Sequence, residues 1–200
     1  MNYLAHAVLS FGNEAVITGN MISDFVKGRK QFDYPDAIRT GITLHRLIDN
    51  YTDTHAATRA AMDVFRPEYR LYSGAFVDIV YDHFLARQDD VFLPSGLEAF
   101  AAGVYDALEH NRSWLPQGFA AMFPYMKQHN WLLGYRQKEG IEKSFSGLVR
   151  RAAYMDDPFP AIRIFRDNYQ LLEHSFRQFW ADVRPFAAEQ LRALREQVRA

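Results

Sequence analysis

The stretch from Leu71 to Gln88, LYSGAFVDIVYDHFLARQ, constrains this chain more than any other. It reads as a helix that is apolar nearly all the way round, as a buried central helix would be. Leu71, Ala75 and Leu85 fall on one side, and Phe76, Val80 and Phe84 on the others. Asp78 and Asp82 interrupt this background four residues apart, so they stack on one helical face. His83 stands beside them. Each unpaired carboxylate in a core would cost several kcal/mol. The fold must therefore supply an Arg or Lys, a shared proton, or a metal ion.

The length of 200 residues fits a single domain spanning positions 1–200. With 48% hydrophobic and 15% aromatic residues, the chain has ample material for one core. The 23 Lys and Arg nearly balance the 24 Asp and Glu, which removes any bulk-charge argument for a nucleic-acid partner. The absence of cysteine excludes disulfides, thiolate zinc sites and a cysteine nucleophile, and it fits a reducing compartment. The N-terminal residues MNYLAHAVLSFGNEAV lack the basic region and long apolar run of a signal peptide. No window approaches the roughly 20 apolar residues of a membrane span. The expectation is a soluble, cytoplasmic protein with no membrane partner.

Helical periodicity runs almost throughout, and no set of alternating β-branched runs argues for a sheet. A short helix is expected within Met1 to Ser10, then one from about Glu14 to Lys27 closed by Gly28. Pro35 opens a third helix to about Tyr51, carrying Ile38, Gly41, Ile42, His45, Ile48 and Asp49 along one side. Thr54 or Asp53 is the expected cap of a fourth helix that runs to Phe65 and closes at Pro67. After the central helix come segments from about Ser95 to Arg112, Pro116 to His129 and Ile141 to Tyr154. A long last helix follows Pro158 and Pro160, with Pro185 as a kink and a charged tail free to fray. No linker or repeat divides the chain, so the fold class is all-α.

Four segments in the first 90 residues place ligand-type side chains on apolar faces: His6; Asn20 and Asp24; His45 and Asp49; Asp78 and Asp82. Taken singly, each has a plain structural reading. A lone histidine on an apolar face is more often a hydrogen-bonded core residue than a ligand. Asp24 has Lys27 or Arg46 as a candidate ion-pair partner, and Asp78 has Arg70. Taken together, several carboxylates and imidazoles without matching inward cations favour a divalent cation such as Mn2+, Mg2+ or Fe2+. Phosphate-binding glycine loops, GxSxG, HExxH and the Glu-x-x-His of di-iron bundles are all missing. Positive charge gathers at Lys27, Arg29 and Lys30, at Arg46 beside His45 and at Arg87; Arg150-Arg151 and the aromatics around Trp131 and Tyr135 are candidates from the second half.

At these positions the chain resembles a known family. The matching segments are Asn2-Tyr3-Leu4-Ala5-His6, Gly19-Asn20 with Asp24-Phe25-Val26-Lys27-Gly28, and His45-Arg46-Leu47-Ile48-Asp49 with Thr52-Asp53. The last is Asp78-Ile79-Val80-Tyr81-Asp82-His83-Phe84-Leu85. In order and spacing they are similar to the acyl carrier protein phosphodiesterases, with a weaker likeness at Trp131-Leu132 and Tyr135-Arg136. Two departures stand out. Many relatives carry a tryptophan shortly after the DHFL motif, where this chain reads Arg87-Gln88-Asp89-Asp90-Val91-Phe92. In ordinary HD-domain enzymes the second histidine is followed by aspartate, whereas His45 is followed by Arg46.

The resemblance implies a single-domain, HD-like helical bundle of about eight to ten helices. It also implies a metal-dependent reaction, Mn2+ favoured, that removes 4′-phosphopantetheine from a serine of holo acyl carrier protein. On that basis His6, Asp24, His45, Asp78 and Asp82 are expected at the metal or in its immediate shell. Asp24 and Asp49 are the expected catalytic carboxylates, Asp49 either orienting His45 or binding metal itself. His83 is a candidate acid–base group. Lys27, Arg29, Lys30 and Arg46 are expected to face the phosphate or an acidic carrier protein. Two other readings use the same residues: an HD-like hydrolase of another phosphoester such as a nucleotide, and a non-enzymatic helical binding module in which they form structural ion pairs.

Overall fold

Glycine pairing sets the closest contact in the molecule. In a computed structural model, which describes residues 1–152 and 157–199, helix α2 (Glu14–Ile22) crosses helix α3 (Asp36–Thr54) at Gly19 and Gly41. A Cβ on Gly19 would lie 1.9 Å from the Ile38 carbonyl oxygen, and one on Gly41 would lie 2.3 Å from that of Val16. Only glycine permits such a backbone approach. Helix α2 is capped by Asn13, whose side chain accepts from the Val16 amide. It ends at Ile22, earlier than Lys27, because the chain tightens into a 3-10 turn over Ser23–Phe25 and then takes a positive φ of 54° at Gly28.

Helix α1 (Tyr3–Val8) precedes this pair, and α4 (Ala56–Tyr69) and α5 (Ser73–Ala86) follow it. The cap of α4 is His55, whose Nδ1 accepts from the Ala57 amide, in place of the expected Thr54 or Asp53. The helix continues past Pro67 and ends where Arg70 adopts φ 44°. The central helix α5 is shorter than its apolar pattern. Leu71 sits in the preceding turn and is 98% exposed, so it is not a core residue. Phe76, Val77, Val80, Tyr81, Phe84 and Leu85 are all buried, as a central helix requires.

The second half comprises α6 (Gly96–His110), α7 (Gln117–Gln128), α8 (Trp131–Gly134), α9 (Lys138–Arg151), α10 (Phe159–Asp167) and α11 (Tyr169–Arg199). Eleven α-helices and no strand among the described residues make the protein all-α. The count exceeds eight to ten because Trp131–Gly134 forms its own turn and the last segment divides at Asn168. The expected end of α9 at Tyr154 lies outside the described residues. Helix α11 passes through Pro185 and keeps the charged tail helical to Arg199. One contiguous core joins the two halves. Its centre is an aromatic chain in which Phe76 packs on Phe65 and Phe145, and Phe84 on Tyr169 and Phe176, with centroids 5.0–5.8 Å apart. Among the described residues no helix is long and apolar enough to cross a membrane.

Candidate metal-binding active site

The glycine crossing of α2 and α3 positions the first histidine. It brings the Asn20 carbonyl to 2.8 Å from His45 Nδ1. A carbonyl only accepts, so Nδ1 carries the proton, and in the neutral ring Nε2 keeps its lone pair for a ligand. That Nε2 lies 3.3 Å from Asp24 Oδ1 and 3.0 Å from Asp49 Oδ2, one helical turn away.

The second histidine arrives through Asp82. This carboxylate is fully buried and accepts from the Leu4 amide at 2.7 Å and the Ala5 amide at 3.0 Å. It thereby clamps the first turn of α1 onto α5 and satisfies two of the amides a helix start leaves open. Asp82 therefore balances its burial with backbone donors. Burial pushes it up to about 7, against the pull of those amides. The clamp sets His6 against His45 with ring centroids 3.9 Å apart and planes 16° apart. His6 Nε2 then stands 3.1 Å from Asp49 Oδ1.

Asp49 is thus the hub, with one oxygen toward each histidine. The amino terminus completes the cluster, 3.3 Å from Asp49 Oδ1 and 3.1 Å from Asp78 Oδ1. Neither Asp24 nor Asp78 pairs with the arginines and lysine near them in sequence, and Asp78 is only half-buried. Burial pulls His45 down, but contacts with Asp24 and Asp49 outweigh it and raise it to about 9. His6 goes the other way, to about 4, through burial and the neighbouring charge of His45. Burial raises Asp49, yet the amino terminus and both histidines together hold it well below the usual carboxylate range.

This donor set could hold a metal ion. One ligand atom from each of His6, His45 and Asp49 lies within 4.8 Å of the others. His6 Nδ1 is buried without a hydrogen bond, as is Asn20 Oδ1. Buried polar atoms left unpaired in this way point to a missing partner. A cavity of about 200 Å³ opens on the cluster, lined by His6, Asn20, Asp24, His45 and Asp78, with Arg151 of α9 at its edge.

Four of the sequence-derived candidates, His6, Asp24, His45 and Asp49, converge directly, and Asp78 joins through the amino terminus. Asp82 stands behind them as the clamp on α1. His83 points elsewhere: Nδ1 donates to the Tyr135 carbonyl at 2.7 Å, and Nε2 lies 3.1 Å from the Tyr169 hydroxyl. Arg46 donates to the Val26 carbonyl and to Gln31 Oε1, which fastens the 3-10 turn Gly28–Asp33. Lys27, Arg29 and Lys30 are exposed on and beside that turn. The amino terminus gives no signal in side-chain patterning because its charge belongs to no side chain. Arg151 reads in the sequence only as a basic pair with Arg150, since nothing there ties α9 to α5.

Helical scaffold, paired histidines and shared carboxylate define an all-helical protein with a His/Asp centre able to hold a metal ion. Comparison with known proteins makes the assignment narrower. The family model described as acyl carrier protein phosphodiesterase matches residues 1–183, and the chain belongs to that family. A Yersinia pestis protein named acyl carrier protein phosphodiesterase is 30% identical over 187 residues, covering 90% of this chain and 94% of the relative. Proteins of the same name from Klebsiella pneumoniae subsp. pneumoniae (31% over 185 residues, 90% and 92%) and Escherichia coli O6:H1 (30% over 181 residues, 90% and 94%) are similar to it as well. No solved structure matches the chain.

Proposed function

We propose that the protein hydrolyses the phosphodiester between 4′-phosphopantetheine and a serine of holo acyl carrier protein, with a divalent cation, Mn2+ first, at His6, His45 and Asp49. The observation that carries this reading is the convergence of those three side chains beside a cavity that His6 and His45 line, in a chain of this family. When bound, such an ion supplies positive charge to the phosphoryl oxygens and makes a bound water more acidic.

The protein's own groups account for the rest. Asp49 fixes both imidazoles, and the Asn20 carbonyl holds His45 in the tautomer that offers Nε2. Asp24, at the mouth with a largely exposed carboxylate, is placed to take a proton on Oδ1 from the attacking water. Arg151 makes no ion pair among the described residues and borders the same cavity, where its guanidinium suits the non-bridging phosphate oxygens. Lys27, Arg29 and Lys30 offer an exposed basic edge next to Asp24 for an acidic carrier protein, and Arg46 anchors that edge.

Intact-mass analysis of holo carrier protein after incubation with the protein and Mn2+ tests the proposal. Release of the phosphopantetheine arm, stopped by chelator and restored by Mn2+, is the expected result. A carrier that keeps its mass under Mn2+, Mg2+ and Fe2+ alike would sink it.

A further inference from the structure

A second, larger cavity of about 650 Å³ adjoins the His/Asp pocket and shares Asn2, Tyr3, Ile79 and Arg151 with it as common walls. Its size lies within the roughly 300–1,000 Å³ typical of small-molecule sites. Helix α9 builds the far wall. Ile141, Phe145 and Val149 face the core, while Gly140, Ser144 and Gly147 line the cavity from the other side of the same helix. Gly140 also lets α8 sit close, since a Cβ there would lie 1.9 Å from the Gly134 carbonyl oxygen. Small side chains on α9 therefore hollow out the space between α8 and α9. Trp131 and Tyr135 supply apolar wall, and Gln137, Lys143 and Arg150 supply polar groups.

We infer that this α8–α9 cavity receives the pantetheine arm of the substrate, an extended amide-bearing chain ending in a thiol or thioester. The inference rests on the phosphodiesterase reading above and gives it a direction. A phosphodiester centred on the His/Asp cluster has two substituents that must leave on different sides. Asp24 lines the smaller cavity and not the larger, and the exposed basic residues follow it in the chain, so this side is assigned to the carrier protein. The shared wall of Tyr3, Ile79 and Arg151 opens the other side into the larger cavity, whose mixed lining suits alternating amides and methylenes. Arg151 then meets the phosphate where the two cavities join.

Gly147→Leu tests this directly. A Cβ at Gly147 meets only Arg151 Nη1, at 3.7 Å, and removing glycine from a helix interior favours the helix, so the variant should keep its Tm. Gly103→Leu on α6, where a Cβ meets nothing within 4 Å, controls for the substitution itself. Pantetheine, which lacks the phosphate, is titrated by NMR and calorimetry, and arm release from holo carrier protein is followed in parallel. The wild type and Gly103→Leu should bind pantetheine, with binding weakened about tenfold or more in Gly147→Leu as the added side chain fills the site. Arm release by Gly147→Leu should fall in step. Equal pantetheine binding by Gly147→Leu and wild type, or no binding by either, overturns the inference. Wild type that binds pantetheine in a Gly147-dependent way but leaves holo carrier intact supports the cavity and sinks the reaction instead.

Discussion

Asp78 and Asp82 look alike in sequence and have different partners. Asp82 is held by two backbone amides of α1, whereas Asp78 is half-buried and faces the amino terminus. Side-chain patterning signalled that something must balance them, but amides and a chain terminus leave no trace in such a pattern. Replacing Asp82 by Ala would orphan both buried amides, at about 1–3 kcal/mol each, so the variant should lose several °C of Tm or more. An unchanged Tm would show that α1 is not clamped through this carboxylate. His83 supports a pH prediction. Burial, opposed by its bond to the Tyr135 carbonyl, lowers it from 6.5 to about 4. Between those values the unfolded chain binds more protons than the folded one. Its contribution is therefore complete above about pH 6.5 and is lost as pH falls towards 4, by about 3 kcal/mol at most. Urea unfolding from about pH 7 to about pH 5 should show a shallower acid decline for His83→Gln than for wild type.

Among the elements, helix type and approximate extent were legible from periodicity, because each helix buries one apolar face. The joints were not. The crossing of α2 on α3 depends on Gly19 meeting Gly41, residues far apart in sequence whose meaning lies in the missing Cβ atoms. Likewise, Trp131–Gly134 became a separate turn, opened by Asn130 in a left-handed conformation whose side chain caps it. The joints can be tested separately from the ligands. Gly41→Ala touches none of His6, His45 or Asp49, yet it must push α2 from α3 and pull the Asn20 carbonyl off His45 Nδ1. The expected outcome is a fall in stability of about 3 kcal/mol or more together with weaker Mn2+ binding. Wild-type Mn2+ affinity in this variant would mean that the crossing does not set the histidine.

For the molecule as a whole, α1, α3, α5 and the 3-10 turn after α2 deliver the His/Asp cluster, and α9 from the second half closes the cavity with Arg151. Of the candidate site, His6, Asp24, His45 and Asp49 are legible in the sequence because metal-type residues on apolar faces are conspicuous. The contribution of α8 and α9 is not, since it comes from an absence of bulk at Gly140, Ser144 and Gly147. The basic edge is a property of the whole surface. Reversing Lys27, Arg29 and Lys30 together should raise KM for the carrier protein about tenfold or more at low salt, leave Mn2+ binding intact, and flatten the salt dependence of kcat/KM. Unchanged kinetics would remove this edge from docking. On the proposed reading Asp49, shared by His6 and His45, organises the reacting centre. Arm release from holo acyl carrier protein by Asp49→Asn, measured beside wild type in saturating Mn2+, tests it most directly. The expected result is a folded variant with arm release reduced on the order of 100-fold or more; release at the wild-type rate would remove Asp49 from that role.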